Sequence, residues 1–167
     1  IYAAVYTGQS DGTNILRSML TSLGDKIPPG EERVTAQNAD SYAGPALWVG
    51  DRFGVAWQER RFGDYEVYFT LLDPSGKKFI PDVQLSFAAG FSIYPEIAYT
   101  GTNFVVVWQD ERSGKFEVFG QLLDLDGTPV GEEMQMTDAP GLPAEAPSVA
   151  ATSQGIGLAW SAGDTEQ

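Results

Sequence analysis

Residues 104–114 read Phe104-Val105-Val106-Val107-Trp108-Gln109-Asp110-Glu111-Arg112-Ser113-Gly114, and residues 117–124 read Glu117-Val118-Phe119-Gly120-Gln121-Leu122-Leu123-Asp124. An apolar run, a polar stretch ending on glycine and a second apolar run make two strands joined by a hairpin turn. A strand with one wet face alternates apolar and polar residues. Phe104 to Trp108 is apolar throughout, so it is expected to be covered on both faces.

The same pattern recurs on either side. Tyr6, Trp57, Trp108 and Trp160 stand 51, 51 and 52 residues apart, and each closes a short apolar run. The other runs are Tyr2-Ala3-Ala4-Val5-Tyr6, Phe53-Gly54-Val55-Ala56-Trp57 and Ile156-Gly157-Leu158-Ala159-Trp160. A fixed period of about 50 residues, with several strands in each unit, predicts a β-propeller. Stacked blades cover every sheet with a neighbour on each side, as the unbroken apolar strands require.

The whole chain, 1–167, reads as one propeller segment in four units, about 1–40, 41–89, 90–141 and 142–167. In the last three a proline precedes a first strand: Pro45 before Ala46 to Val49, Pro95 before Glu96 to Tyr99, and Pro147 before Ser148 to Ala151. Glycine turns at Gly50, Gly101 and Gly155 lead into the runs that end on tryptophan. Third strands follow at Glu66 to Leu72 and Glu117 to Leu123, then the turns Asp73-Pro74-Ser75-Gly76 and Asp124-Leu125-Asp126-Gly127. Fourth strands fall near Val83 to Leu85 and Met134 to Met136. Short connections make each unit an antiparallel meander. Ala46, Ala98 and Ala150 are expected at crowded inner positions near the axis.

The first unit enters at its second strand and the last stops after its second, so the inventory is three, four, four and two strands. That is a partial ring, about three four-stranded blades with extra strands at the ends, whereas a closed ring takes about four to eight blades. The chain opens on Ile1-Tyr2-Ala3, inside a strand pattern and without Met or a signal-peptide profile. It therefore reads as a piece of something longer, its ring completed by further blades or by self-association.

Val106 to Gly114 followed by Glu117 to Asp124 resembles the roughly 50-residue propeller repeats of large secreted or surface proteins of bacteria, especially myxobacteria and their relatives. Those repeats carry a Val-Trp-x-Asp-x-Arg-x-Gly turn and then an acidic-aliphatic-aromatic strand. The second unit keeps Arg61, Gly63 and Glu66-Val67-Tyr68 with Glu59 in place of the Asp; the first has Gly8 and Ser10 there instead. The resemblance implies the fold and an extracellular or cell-surface setting, without an activity.

Composition narrows the chemistry. Against 10 Lys and Arg stand 23 Asp and Glu, a net charge of −13. Such a field repels phosphate backbones, which argues against a nucleic-acid partner. No apolar run approaches the length of a membrane span, so no membrane insertion is expected. Without Cys or His, the usual zinc sites, thiol nucleophiles and Ser-His-Asp triads are excluded within these residues. Asp124 and Asp126 do not meet the spacing of a calcium loop, so no metal and no cofactor are expected.

The candidate ligand-binding residues are of two kinds. Glu59, Arg61, Asp110 and Arg112 lie in the hairpin turns after the tryptophans, where their recurrence favours ion pairs that stabilise the turn, with Glu66 and Glu117 as further partners. Trp48 breaks the repeat, since its counterparts are Tyr99 and Ala151, and with Tyr42 and Tyr94 near other strand starts it suits a surface contact. Trp57, Trp108 and Trp160 are expected between blades. The function expected is a non-enzymatic scaffold for protein or glycan recognition. The rival is a carbohydrate-active hydrolase, or its substrate-binding part, with carboxylates at the axis.

Overall fold

A computed structural model describes residues 2–9, 13–35, 40–138 and 141–163. These contain thirteen strands and no helix. Blade 1 holds β1 (Tyr2–Gln9), β2 (Thr13–Leu20) and β3 (Lys26–Arg33). Blade 2 holds β4 (Asp40–Trp48), β5 (Phe53–Arg60), β6 (Glu66–Leu72) and β7 (Val83–Gln84). Blade 3 holds β8 (Ser92–Tyr99), β9 (Phe104–Asp110), β10 (Glu117–Leu123) and β11 (Pro129–Gln135). Blade 4 holds β12 (Ala144–Thr152) and β13 (Gly155–Ala162). Each sheet is an antiparallel meander in chain order. Ser10, where the first unit departs from the turn motif, lies outside the described residues.

The unbroken apolar runs of β5 and β9 are covered on both faces, whereas that of β13 is largely exposed. In β5, Phe53, Val55 and Trp57 pack with Ile15, Met19 and Val34 of blade 1, while Ala56 joins the core shared with blade 3. In β9, Phe104, Val106 and Trp108 pack toward blade 2, and Val105 and Val107 pack toward blade 4. Gly54 is small for the same reason: a Cβ there would come within 2.7 Å of the Phe104 ring in the next blade. These interblade layers are the core. The burial of Trp57 and Trp108 is complete, whereas Trp160, on a blade with two strands, is 42% exposed.

The first strands differ from expectation. β4, β8 and β12 begin several residues before Pro45, Pro95 and Pro147, and each carries a bulge at its proline. These strands are the edges of their sheets, where a missing N–H is tolerated. The bulges also move the register. Ala46 pairs with Val55, whereas Ile97 pairs with Val106 and Val149 with Leu158, so Ala46 corresponds to Ile97 and not to Ala98 or Ala150. β5 and β9 extend through Arg60 and Asp110, which places Glu59 and Asp110 inside strands instead of in the turns.

Candidate functional site

Each tryptophan that ends a second strand anchors a polar corner. The Trp57 indole N–H donates to Glu59 Oε2 at 2.7 Å, and the Trp108 indole N–H donates to Asp110 Oδ2 at 3.0 Å. Arg61 caps Glu59 through its other oxygen and reaches Asp82 at 2.6 Å. Arg112 forks onto Asp110, with both contacts at 2.7 Å, and also bonds Glu133. Each guanidinium lies over an aromatic ring of its own blade, Arg61 at 4.2 Å from the Tyr68 centroid and Arg112 at 3.9 Å from Phe119.

The buried side of this network is tightly held. Glu59 is 0% and Asp110 1% exposed. Burial pushes the Asp110 carboxyl up, but hydrogen bonds from Arg112, Trp108 and Ser92 outweigh it and hold the pKa below the ordinary aspartate range. Hydrogen bonds to Asp110 and Glu133 raise the Arg112 pKa against the opposing effect of burial. For Arg61 burial acts downward and is the largest influence, yet Glu59 and Asp82 together raise it. The second partners are Asp82, just before β7, and Glu133 of β11, in place of Glu66 and Glu117. Glu66 instead accepts from Ser86, and Glu117 from Thr137 at 2.6 Å. The four charged candidates therefore form two closed corners.

A different place on the same rim is open. The first strands β4, β8 and β12 pack against one another at the inner edge, and their bulges, with Thr7 of β1, surround a cleft of about 920 Å3. That is the size of a small-molecule site. Gly44 allows the close approach of two of these strands, since a Cβ there would meet Ala56 O at 2.8 Å and Pro95 Cγ at 3.0 Å. One wall is a run of rings: Tyr42 meets Tyr65 edge-on at 5.8 Å, and Tyr65 meets Phe91 at 6.0 Å. Tyr65 donates its hydroxyl proton to Asp40; burial and then that carboxylate raise the Tyr65 pKa. Tyr94 lines the same cleft and is 61% exposed.

Glu96 is the one carboxylate among the described lining residues. It occupies the strand position held by Pro45 in blade 2 and Ser148 in blade 4. Burial against apolar walls pushes its carboxyl above the ordinary glutamate value.

The structure thus brings Tyr42 and Tyr94 together in the cleft and leaves Trp48 at the far end of β4. Six residues of strand put Trp48 about 20 Å from Tyr42, where it packs on Phe53 at 4.6 Å and is 45% exposed. Sequence reasoning missed Glu96, Tyr65 and Phe91. An acid inside an otherwise apolar first strand was the available signal for Glu96. Nothing comparable marked the other two. Asp124, weighed for calcium, spends its Oδ1 on the N–H groups of Asp126 and Thr128 in its own turn, at 2.9 and 2.8 Å.

Consecutive antiparallel blades stacked face to face about an inner cleft define a β-propeller. No family model matches the sequence, and no curated protein sequence does. Among solved structures, the chain is similar to the endo-arabinase from Bacteroides thetaiotaomicron VPI-5482, at 15% identity and a TM-score of 0.58, covering 95% of this chain and 65% of that one. It is also similar to the GH43 endo-arabinanase from Bacillus licheniformis, at 14% identity and a TM-score of 0.51, covering 87% of this chain and 56% of that one. The chain spans less than two thirds of the length of either. At these identities the likeness is one of fold.

Proposed function

We propose that the cleft binds a neutral glycan and that these blades are the substrate-binding part of a carbohydrate-active propeller. The observation that carries this is an apolar cleft at the inner edge, walled by aromatic rings, with a single half-buried carboxyl among the lining residues. Sugar rings present C–H faces to aromatic side chains and hydroxyls to a lone acid, and both are available here. The two structural neighbours are an endo-arabinase and an endo-arabinanase, which makes arabino-oligosaccharides the first probes. A net charge of −13 disfavours acidic polysaccharides.

Glycoside hydrolysis ordinarily uses two carboxylates. Glu96 supplies one, so binding without turnover is the outcome expected of these blades. That keeps the scaffold reading for recognition and narrows its ligand to a glycan. An exported or cell-surface setting, implied by the repeat resemblance, suits such a ligand. Further blades or self-association would cover β13, whose face is open at Trp160.

Isothermal titration of arabinohexaose and a panel of neutral glucans and xylans tests the reading, with reducing ends assayed in parallel. Saturable binding to one class, weakened in Tyr94→Ala and Glu96→Gln, is expected. If no glycan bound at millimolar concentration, the reading would be lost. Release of reducing ends would promote the hydrolase reading over binding alone.

A further inference from the structure

One contact recurs at every blade boundary around the cleft. The residue after each second-strand aromatic accepts a hydrogen bond from a bulge N–H in the next blade. Thr7 Oγ1 accepts from Ala43 at 2.9 Å, Gln58 Oε1 from Tyr94 at 2.7 Å, and Gln109 Oε1 from Ala146 at 2.8 Å. The three donors occupy one position of the repeat, as do the three acceptors.

The backbone at this position is strained in two of the three. Tyr94 at φ 53° and Ala146 at φ 49° are the non-glycine residues with positive φ among those described. That region is sparsely populated for a bulky side chain, and each residue also precedes a proline, which favours extended backbone. Strain of this kind persists where the surroundings impose it. Ala43 and Ala146 carry only a methyl group. Tyr94 alone places a ring at this position, and that ring is largely exposed on the cleft.

From this we infer that Gln58 is a positioning residue: reaching across from blade 2, its side-chain carbonyl holds Tyr94 in the left-handed conformation that presents its ring to the cleft. The inference deepens the glycan reading and rests on it for the meaning of the ring. The hydrogen bond and the backbone conformation stand without it. Gln109 makes the same bond to a residue without a ring, and so separates a role in folding from a role in presentation.

The experiment compares the whole chain with Gln58→Met, Gln58→Glu and Gln109→Met. Two quantities are read: amide hydrogen exchange at residues 94 and 146, and affinity for arabinohexaose. Gln58→Met lacks the acceptor, and Tyr94 N–H should exchange at least about tenfold faster. Gln58→Glu keeps an Oε acceptor and should restore most of the protection. Affinity should fall about tenfold in Gln58→Met and by less than about threefold in Gln109→Met, although both lose comparable thermal stability. Unchanged exchange at Tyr94 in Gln58→Met overturns the inference, as does an equal loss of affinity in the two Met variants. Should the wild-type chain not bind the sugar, the glycan reading fails by itself and the exchange comparison decides the role of Gln58.

Discussion

Two regions on one rim of this molecule are built on opposite plans. The corners at Trp57-Glu59-Arg61 and Trp108-Asp110-Arg112 are near copies, down to the indole N–H on the acid and the guanidinium over a ring. The cleft between the first strands uses positions at which the blades disagree: Glu96 where the others have Pro45 and Ser148, Tyr94 where they have Ala43 and Ala146. A repeated group answers a problem that blades 2 and 3 share, namely how to close a hairpin over a buried indole. An unrepeated group at the shared inner edge answers no such problem. The corners are therefore fold, and the departures from the repeat are the candidates for function.

That division can be broken by measurement. Trp108→Ala removes a fully buried ring and should cost about 3–5 kcal/mol in urea unfolding, while Trp160→Ala, half exposed at the same repeat position, should cost about 1 kcal/mol. Equal losses would mean that blade stacking is not what buries Trp108.

Asp110→Asn should follow at about 3 kcal/mol, because Arg112 and the Trp108 N–H lose a charged acceptor inside the protein. The pH dependence has a definite sign. The folded Asp110 pKa is depressed, so its contribution is present above the unfolded value of about 3.9 and is lost as pH falls through the lower folded value. Thermal melts should therefore show the gap between wild type and Asp110→Asn narrowing below about pH 4. A gap constant down to pH 2 would remove the charge from the explanation.

Trp48→Ala should cost about 1 kcal/mol, from its contact with Phe53, and leave glycan affinity unchanged. A loss of affinity there would move the site to the other end of β4. Glu96→Gln should cost nothing. Its raised pKa means that the ionised form opposes folding as pH rises above the ordinary value of about 4.3. Neutralising it should leave Tm at pH 7 unchanged or up by about 1–2 °C, while glycan affinity drops. Destabilisation without loss of binding would make Glu96 one more structural acid.

The corners were largely legible beforehand, because Trp-x-acid-x-Arg is a local pattern and its partners lie within one hairpin. The second acids, Asp82 and Glu133, were missed in favour of Glu66 and Glu117, since they enter from the segment of the fourth strand about twenty residues away. Of the cleft, Tyr42 and Tyr94 were singled out as aromatic residues near strand starts. Trp48, grouped with them as a break in the repeat, lies elsewhere, because strand length separates the two ends of β4 and a composition rule does not see length.

The period, the thirteen strands, the double covering of β5 and β9 and the antiparallel meanders follow from the order of residues alone, since hydrophobic runs and turn residues act over a few positions. The cleft does not. Phe91 and Glu96 reach the cleft beside Tyr42 and Tyr65 only because bulged first strands from successive blades converge on one inner edge. That convergence is set by face-to-face packing of whole sheets, a property no single unit of the repeat carries.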